Sequence, residues 1–487
     1  ADGFHLGEPL EYRSWINYLG NGEYGLRLGH LGDGFATTLA EPRKVITNYD
    51  FFAPLKGRFV YVKSTPASGP GPAGQAAGPG GDAPGQLPVS AGSSPGGLIA
   101  PVPAPTLWNP SFYPTKARLD RYGCHHGAGF TAFDSEKDGV RVVSTHFLPR
   151  QGCFEIWRLA VTNTSPVART VSLFPLVEFL LYDSFGVDPI YYSWYTNTRL
   201  EADGRTIAVF KTDASVVYGF LHSLENPQAW EGSLSRLRGN GDLREPAGLH
   251  ESRLSGVPSA GDPYIGCFQF EITLRPGECW DNALFLGEGE AVRADVQARF
   301  ASVAAVDAEL AAVKADWKRR LHHPAFDRLD MATSSAPAGS PGPAADAGPS
   351  SAVAGTGPGT PSPAGHPTMP GAYATPSVPA LATPALAQPE LTAWLTGFFP
   401  YQIFQQSTGL VRSTWRGYRD VAQDAIGMSY FDLSISRRLI LDLLDKQHPD
   451  GRCLRQWNTA GSYHDERDFR DLPLWLPLIG SALLLQA

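Results

Sequence analysis

Residues 412–424 have the sequence Arg-Ser-Thr-Trp-Arg-Gly-Tyr-Arg-Asp-Val-Ala-Gln-Asp, which combines three arginines, two carboxylates, an amide and two large aromatic rings. Few of these side chains suit a hydrophobic core. The pattern predicts a helix that is capped by Ser413 or Thr414. In such a helix Asp420 and Asp424 lie four residues apart on one face. Because two like charges at this spacing repel each other, the segment predicts a compensating partner.

Two kinds of partner satisfy this requirement. In the first, Arg416, one helical turn earlier, and Arg419 pair with the two aspartates in a buried ion network. In the second, the partner is a sugar, whose vicinal hydroxyls a carboxylate accepts while arginine and Gln423 donate to its oxygens. The rings of Trp415 and Tyr418 would then stack on the apolar face of the sugar. We favour the sugar, because the flanking sequence contains more residues of these types.

Composition limits the classes of function. The chain has 487 residues, enough for two or three domains, and its net charge of −8 without a basic run argues against nucleic acid and anionic membranes as partners. Its five cysteines are scattered and odd in number, which favours a reduced, cytoplasmic compartment and no structural zinc. The adjacent His125 and His126 lack a third metal ligand at fixed spacing, so we interpret them as part of a polar turn. The apolar run 472–485 is too short and too broken for a membrane span and predicts a buried helix.

The patterns along the chain predict a β-rich first part and a helical last part. Alternating runs such as 154–163, separated by glycine-rich turns, predict the antiparallel strands of a large β-sandwich. Residues 65–106 and 331–388 are dominated by Pro, Gly, Ala and Ser or Thr, which predicts two disordered tracts. Apolar residues at helical spacing over 293–317 predict a helical connector, and helices are expected again after Pro389.

Several motifs together suggest a family. They are Trp15-Ile-Asn-Tyr-Leu-Gly-Asn, Tyr122-Gly-Cys-His-His-Gly-Ala-Gly-Phe, Gly417-Tyr-Arg-Asp-Val-Ala-Gln-Asp, Gln447-His-Pro-Asp-Gly and Asp471-Leu-Pro-Leu-Trp-Leu-Pro. In this order they resemble glycoside hydrolase family 94, which includes the cellobiose, chitobiose, cellodextrin and laminaribiose phosphorylases and the phosphorolytic part of cyclic β-1,2-glucan synthase. The motif that begins at Gly417 is the most specific of them.

The resemblance implies a multidomain fold. Residues 1–290 would form an antiparallel β-supersandwich with a disordered insertion at 65–106, and residues 291–330 a helical linker. A low-complexity, disordered tract at 331–388 would separate the linker from residues 389–487, the first and incomplete part of a catalytic (α/α)6 barrel. The resemblance also implies a homodimer.

The resemblance further implies reversible phosphorolysis of a β-linked gluco-oligosaccharide with inversion, which yields an α-sugar 1-phosphate. One carboxylic acid protonates the leaving oxygen while inorganic phosphate, the co-substrate, attacks from the opposite face. No metal and no organic cofactor is expected. The positions that match substrate-binding residues of the family are Arg416, Arg419, Asp420, Gln423, Asp424, Gln456 and Trp457. Arg412 is the candidate for binding phosphate, although short spacing before Gly417 leaves open whether Arg412 or Arg416 has that role.

One departure from the family concerns the proton donor. The family's general acid is an aspartate in a Trp-Asn-Asp motif farther along the chain, and the present sequence stops at Ala487 before reaching it. Asp471 matches a family carboxylate, but not the proton donor. We therefore expect the chain to be an inactive fragment of a phosphorylase. The alternatives are a catalytically inactive carbohydrate-binding protein and an inverting hydrolase that requires no phosphate.

Overall fold

Two large antiparallel β-sheets make up the first part of the chain in the computed structural model. The structure describes residues 3–11, 15–39, 44–49, 56–66, 106–182, 193–211, 217–321, 397–408, 415–458, 464–465, 467 and 469–486. The first sheet has nine strands, in the spatial order β1 (Gly3–Leu6), β7 (Cys124–Gly127), β8 (Phe130–Lys137), β9 (Val140–Phe147), β10 (Phe154–Asn163), β17 (Cys279–Glu288), β14 (Tyr218–Ser223), β13 (Thr206–Lys211) and β12 (Thr196–Leu200).

The second sheet has eight strands. Their order is β15 (Ala229–Ser233), β16 (Tyr264–Leu274), β11 (Arg169–Tyr182), β5 (Val45–Thr47), β4 (Gly34–Thr38), β3 (Tyr24–Gly29) and β2 (Ile16–Gly20), and β6 (Arg58–Pro66) also pairs with β11. Apolar side chains from both sheets fill one core, among them Leu26 of β3 and Trp157 of β10. The predicted antiparallel sandwich is therefore confirmed.

The two tracts of low complexity lie largely outside the described residues. Residues 67–105 and 331–388 belong to the parts of the chain that the structure does not describe. Thr65, which the sequence assigned to the first tract, lies in β6, because its backbone pairs with Thr170 of β11. Strand β6 of the sandwich therefore extends slightly past the residue at which the first disordered tract was predicted to begin.

Seven α-helices lie within the described residues. They are α1 (Leu234–Arg238), α2 (Glu290–Arg299), α3 (Val303–Arg320), α4 (Phe399–Thr408), α5 (Tyr418–Met428), α6 (Leu433–Asp445) and α7 (Trp475–Gln486). The continuous helix predicted over 293–317 is wrong in one respect, because it is broken between α2 and α3. Ser302 begins a new helix there, since its side chain accepts a hydrogen bond from the backbone N–H of Ala305.

The last part of the chain is not wholly helical as predicted. A three-stranded sheet is formed by β18 (Trp415–Gly417), β19 (Gln456–Asn458) and β20 (His464–Asp465). A 3-10 turn at Leu472–Leu474 leads into α7. No helix within the described residues combines the length and the hydropathy needed to cross a bilayer.

Helices α3 and α4 pack on the outer face of the nine-stranded sheet. Trp317 of α3 and Tyr401 of α4 meet edge to face, with ring centroids 4.6 Å apart, and both belong to a core that includes Phe130 of β8. Helices α5, α6 and α7 share a separate core. The sandwich therefore holds α4, and α4 in turn contacts α5 where Ile403 meets Gly427.

A buried hydrogen-bonded chain joins the first two sequence motifs across the sheets. The side chain of Asn17 in β2 donates to the hydroxyl of Thr131 at 3.0 Å. His126 Nδ1 lies 3.0 Å from the same hydroxyl, and His126 Nε2 lies 3.2 Å from the carbonyl oxygen of Trp15. Because a carbonyl can only accept, Nε2 carries the proton and Nδ1 accepts from Thr131. The prediction that the histidine pair forms a polar turn is therefore wrong, because His125 and His126 lie within β7 and pair with β1 and β8.

This arrangement predicts acid sensitivity. Burial lowers the pKa of His126 to about 3, below its ordinary value of 6.5. Since the unfolded chain binds the proton more readily, the stability that neutral His126 confers is complete above pH 6.5 and is lost as the pH falls towards 3. At a pH of about 5.5 the expected loss from this group is about 1.4 kcal/mol.

The variant His126→Gln separates this contribution from those of other groups. Burial also lowers the pKa of His222, to about 4, so the variant retains part of the acid sensitivity. The slope of the unfolding free energy against pH, measured by urea denaturation at a pH of about 5, is expected to fall by about one proton. An unchanged slope would contradict the assignment.

Candidate functional site

The charged segment around residue 420 begins with a strand rather than a helix. Trp415 to Gly417 form β18, in which Arg416 lies opposite Trp457 and Gly417 lies opposite Gln456. The predicted helix cap at Ser413 or Thr414 is therefore wrong. The cause is long-range, because pairing with β19 satisfies backbone groups that a longer helix would use. Residues 409–414, with the candidate phosphate ligand Arg412, lie outside the described residues.

Helix α5 divides the predicted site residues between two faces. Val421, Ala422 and Ala425 are buried against α6 and α7. Arg419, Asp420 and Gln423 are exposed, and Asp424 is half-buried. The name "α5 polar face" is used below for Arg419, Asp420 and Gln423. The structure thus brings three of the predicted residues together on one surface.

The two arginines of the segment that the structure describes, Arg416 and Arg419, pair with carboxylates from outside α5. Arg419 Nη2 lies 2.7 Å from Asp471 Oδ2, and both side chains are close to half exposed, at 47% and 45%. Arg416 Nη1 lies 3.5 Å from Asp442 Oδ2. The pair of Arg419 is a surface ion pair, which typically contributes only about 0–1 kcal/mol. It is therefore not the buried network with Asp420 and Asp424 that we considered as an alternative.

The carboxylate of Asp420 points back to the start of α5. A Cβ atom at position 417 would lie 2.3 Å from Asp420 Oδ2, so a glycine there leaves room for this carboxylate. Asp420 lies in the first turn of the helix, where the helix dipole favours a negative charge. Within the described residues, the side chains of Asp420, Gln423 and Gln456 make no hydrogen bond or ion pair. Their polar atoms are free to bind a ligand.

Two aromatic rings support this surface from below. Tyr418 is completely buried, and Trp457, which is 4% exposed, meets it edge-on with centroids 6.5 Å apart. Burial raises the pKa of Tyr418 above its ordinary value. The prediction that the Tyr418 ring stacks on a sugar is therefore wrong, because the ring faces the core on an amphipathic helix. The structure places Trp457, one of the positions that match the family's substrate-binding residues, in the same core. The side chain of Trp415, the other ring predicted to stack on a sugar, lies outside the described residues.

Sequence reasoning named Asp471 but missed its pairing with Arg419, and it did not single out Asp465. Asp471 binds Arg419 and also accepts from Trp475 Nε1 at 3.4 Å. In β20, Asp465 pairs with Arg467 and Arg455, each at 2.7 Å, and the two arginines hold the pKa of Asp465 well below its usual range. The Arg419–Asp471 pair joins residues more than fifty positions apart, so no local period could reveal it.

Within the described residues, no three histidine, cysteine or acidic side chains converge on a metal-sized site. Hydrogen-bond donors and acceptors therefore make up the chemistry of the α5 polar face. An exposed guanidinium, a carboxylate and an amide suit a neutral ligand with several hydroxyl groups.

Comparison with known proteins identifies the fold of the sandwich. Residues 102–304 match the family model described as "Glycosyl hydrolase 94, supersandwich domain". The chain contains a family 94 supersandwich domain. The family 94 resemblance predicted from the motifs is confirmed.

Two relatives of the chain are named as phosphorylases. N,N'-diacetylchitobiose phosphorylase of Vibrio proteolyticus is 29% identical over 223 residues, which are 44% of this chain and 27% of that protein. Solabiose phosphorylase of Paenibacillus borealis is 21% identical over 387 residues, 76% of this chain and 41% of that protein. The chain therefore spans less than half the length of these curated relatives.

One solved structure is similar at a lower level. A bacterial glucoamylase complexed with acarbose superposes with a TM-score of 0.44 and 7% identity, covering 96% of this chain and 56% of that chain. This similarity adds nothing to the family 94 assignment.

Proposed function

We propose that the α5 polar face binds the hydroxyl groups of a β-linked gluco-oligosaccharide and that the chain belongs to a glycoside phosphorylase. The observation that carries the proposal is that the exposed side chains of Asp420 and Gln423 and the half-buried side chain of Gln456 make no hydrogen bond or ion pair within the described residues. The names of the family 94 relatives support it, because both describe phosphorylases of disaccharides.

The proposed reaction is phosphorolysis with inversion. Inorganic phosphate displaces the leaving sugar from the opposite face, a proton is delivered to the leaving oxygen, and an α-sugar 1-phosphate results. Asp420 accepts hydrogen bonds from sugar hydroxyls, and Arg419 and Gln423 donate to sugar oxygens. Arg416 or Arg412 would bind phosphate, which is the only co-substrate, and no organic cofactor takes part.

The architecture proposed for this activity follows the family. Helices α2 and α3 correspond to the helical linker, and α4 to α7 to the first part of an (α/α)6 barrel. The assembly is proposed to be a homodimer in the cytoplasm.

A second candidate function is carbohydrate binding without catalysis. One observation favours it. Asp471, the carboxylate beside the α5 polar face, already contacts Arg419 and Trp475. Its Oδ2 atom is engaged by both of these donors. None of the carboxylates on this face is therefore assigned as the general acid.

The variant Asp420→Asn tests the proposed site, because it keeps the shape of the side chain and removes the charge. Titration calorimetry with cellobiose and N,N'-diacetylchitobiose is expected to show binding by the native chain and at least about tenfold weaker binding by the variant. Glu251→Gln is the matched control, since Glu251 is exposed and lies far along the chain in the sandwich.

Equal affinity of the native chain and Asp420→Asn would refute the proposed site. A separate measurement distinguishes the two candidate functions: the release of sugar 1-phosphate by the native chain in the presence of the disaccharide and inorganic phosphate. A chain that binds the disaccharide and releases no sugar 1-phosphate is a binding protein, whereas release supports a phosphorylase.

A further inference from the structure

An exposed phenyl ring lies beside the start of α5. Phe469 is 38% exposed, whereas phenylalanine is among the residues most often fully buried. It follows β20 and precedes the 3-10 turn at Leu472–Leu474. Because single apolar side chains are common on protein surfaces, the neighbours of this ring decide whether it can bind a ligand.

The turn that follows Phe469 connects it to the α5 polar face. The backbone N–H of Leu472 donates to the carbonyl oxygen of Phe469 at 3.1 Å. Within this turn lies Asp471, whose Oδ2 is 2.7 Å from Arg419 Nη2. The exposed ring is therefore only two residues away from a direct contact with the α5 polar face.

A second connection between the ring and α5 runs through Arg455. The guanidinium carbon of Arg455 lies 5.0 Å from the centre of the Phe469 ring. Its backbone carbonyl oxygen accepts from the N–H of Tyr418, the first residue of α5, at 3.0 Å. The next residue is Gln456, whose side chain makes no hydrogen bond or ion pair within the described residues. The ring and the polar groups available to a ligand therefore belong to one region of the surface.

The arginine that covers one side of the ring is itself fixed. Arg455 Nη1 lies 2.7 Å from Asp465 Oδ2, and the backbone N–H of Arg455 donates to the carbonyl oxygen of Asp465 at 2.8 Å. A guanidinium at this distance is attracted to the face of the ring. Since Phe469 is held from one side and accessible elsewhere, little side-chain freedom is lost when a ligand covers the accessible part.

We propose that Phe469 is the platform on which a pyranose ring of the ligand stacks, and that the ligand is a β-glucopyranoside with equatorial hydroxyl groups. This inference rests on the function proposed above. In such a sugar the axial C–H groups form an apolar face that can cover a phenyl ring, while the equatorial hydroxyls remain free to reach Asp420 and Gln423. Phe469 thereby supplies the stacking surface that Tyr418 and Trp457, both buried, do not offer.

Calorimetry of the whole chain with cellobiose and N,N'-diacetylchitobiose tests the platform. Phe469→Leu keeps an apolar side chain and removes the aromatic ring, so it should weaken binding about five- to tenfold. Phe469→Tyr keeps the ring and should retain the native affinity to within about twofold. Phe399→Leu is the matched control, because Phe399 is 43% exposed at the first position of α4, and it should bind as the native chain does.

Proton NMR separates stacking from a structural effect of the substitution. The axial protons of cellobiose should shift upfield on binding, because they would lie over the face of an aromatic ring. Extrapolated to saturation, this shift should be kept in Phe469→Tyr and lost in Phe469→Leu. The melting temperature of Phe469→Leu should equal that of the native chain.

The platform is overturned if Phe469→Leu binds both disaccharides as the native chain does. It is also overturned if Phe399→Leu loses as much affinity, or if Phe469→Tyr binds as weakly as Phe469→Leu. When Asp420→Asn weakens binding and Phe469→Leu does not, only the platform fails and the α5 polar face remains the proposed site. When the native chain binds neither disaccharide, both proposals fail.

Discussion

Replacing Arg58 by methionine is expected to lower the free energy of unfolding by about 3–5 kcal/mol. Arg58 lies in β6 of the eight-stranded sheet, and its Nη1 forms an ion pair with Glu155 Oε1 in β10 of the nine-stranded sheet. The two side chains are 2% and 0% exposed. The variant would leave the carboxylate of Glu155 buried without its counter-ion between the sheets.

The polar atoms of the ion pair between Arg58 and Glu155 are only partly satisfied by hydrogen bonds from the protein. Glu155 Oε1 also accepts from Trp157 Nε1 at 2.6 Å, while Arg58 Nε and Nη2 lack protein partners within the described residues. A cavity of about 20 Å³ beside Arg58 and His146 has room for about one water molecule, which can complete these bonds. Burial lowers the pKa of His146 well below its usual range, so Arg58 supplies the positive charge there.

A double-mutant cycle in urea measures the coupling between the sheets. Glu155→Gln should cost a similar amount as Arg58→Met, while the double variant should lose clearly less than the sum, because it leaves no unpaired charge and still offers an acceptor to Trp157. Arg452→Met is the control, since Arg452 and Asp450 pair at 2.7 Å while 61% and 52% exposed, and it should cost less than about 1 kcal/mol. Additive losses would contradict the assigned coupling.

The sequence predicts the sandwich better than the helical part because strand signals are local. β10 begins and ends at the predicted residues, 154 and 163, since alternating side chains between glycine-bearing turns specify both the face and the length of a strand. β11 runs from Arg169 to Tyr182, although Pro175 interrupts its ladder to β16 between Leu173 and Leu176. β11 continues past Pro175 because its backbone also pairs with β6 and β5.

The candidate site depends on contacts that no local pattern contains. Arg416 was expected on a helix, but it pairs with Trp457, about forty positions farther along the chain, and this pairing creates β18. The aromatic ring of Tyr418 was assigned to a ligand, yet the amphipathic period of α5 itself turns the ring to the core. Asp420 and Asp424 were expected on one exposed face, but Asp424 is half-buried and Asp420 shares the exposed face with Arg419 and Gln423.

Asn17→Leu is expected to lower the free energy of unfolding by about 2–4 kcal/mol. Asn17 is completely buried, and its amide donates to the carbonyl oxygens of Gly127 and Phe130 at 3.0 and 2.9 Å. Its Oδ1 accepts from Gln402 Nε2 of α4 at 2.7 Å, so one side chain joins both sheets and the helix. Leucine has nearly the same volume but leaves two carbonyls and the Gln402 amide without partners. Gln402→Leu removes only the contact to α4, so the loss of unfolding free energy measured by urea denaturation should be about half as large. An equal loss in the two variants would show that the hydrogen bonds of Asn17 across the sheets contribute nothing.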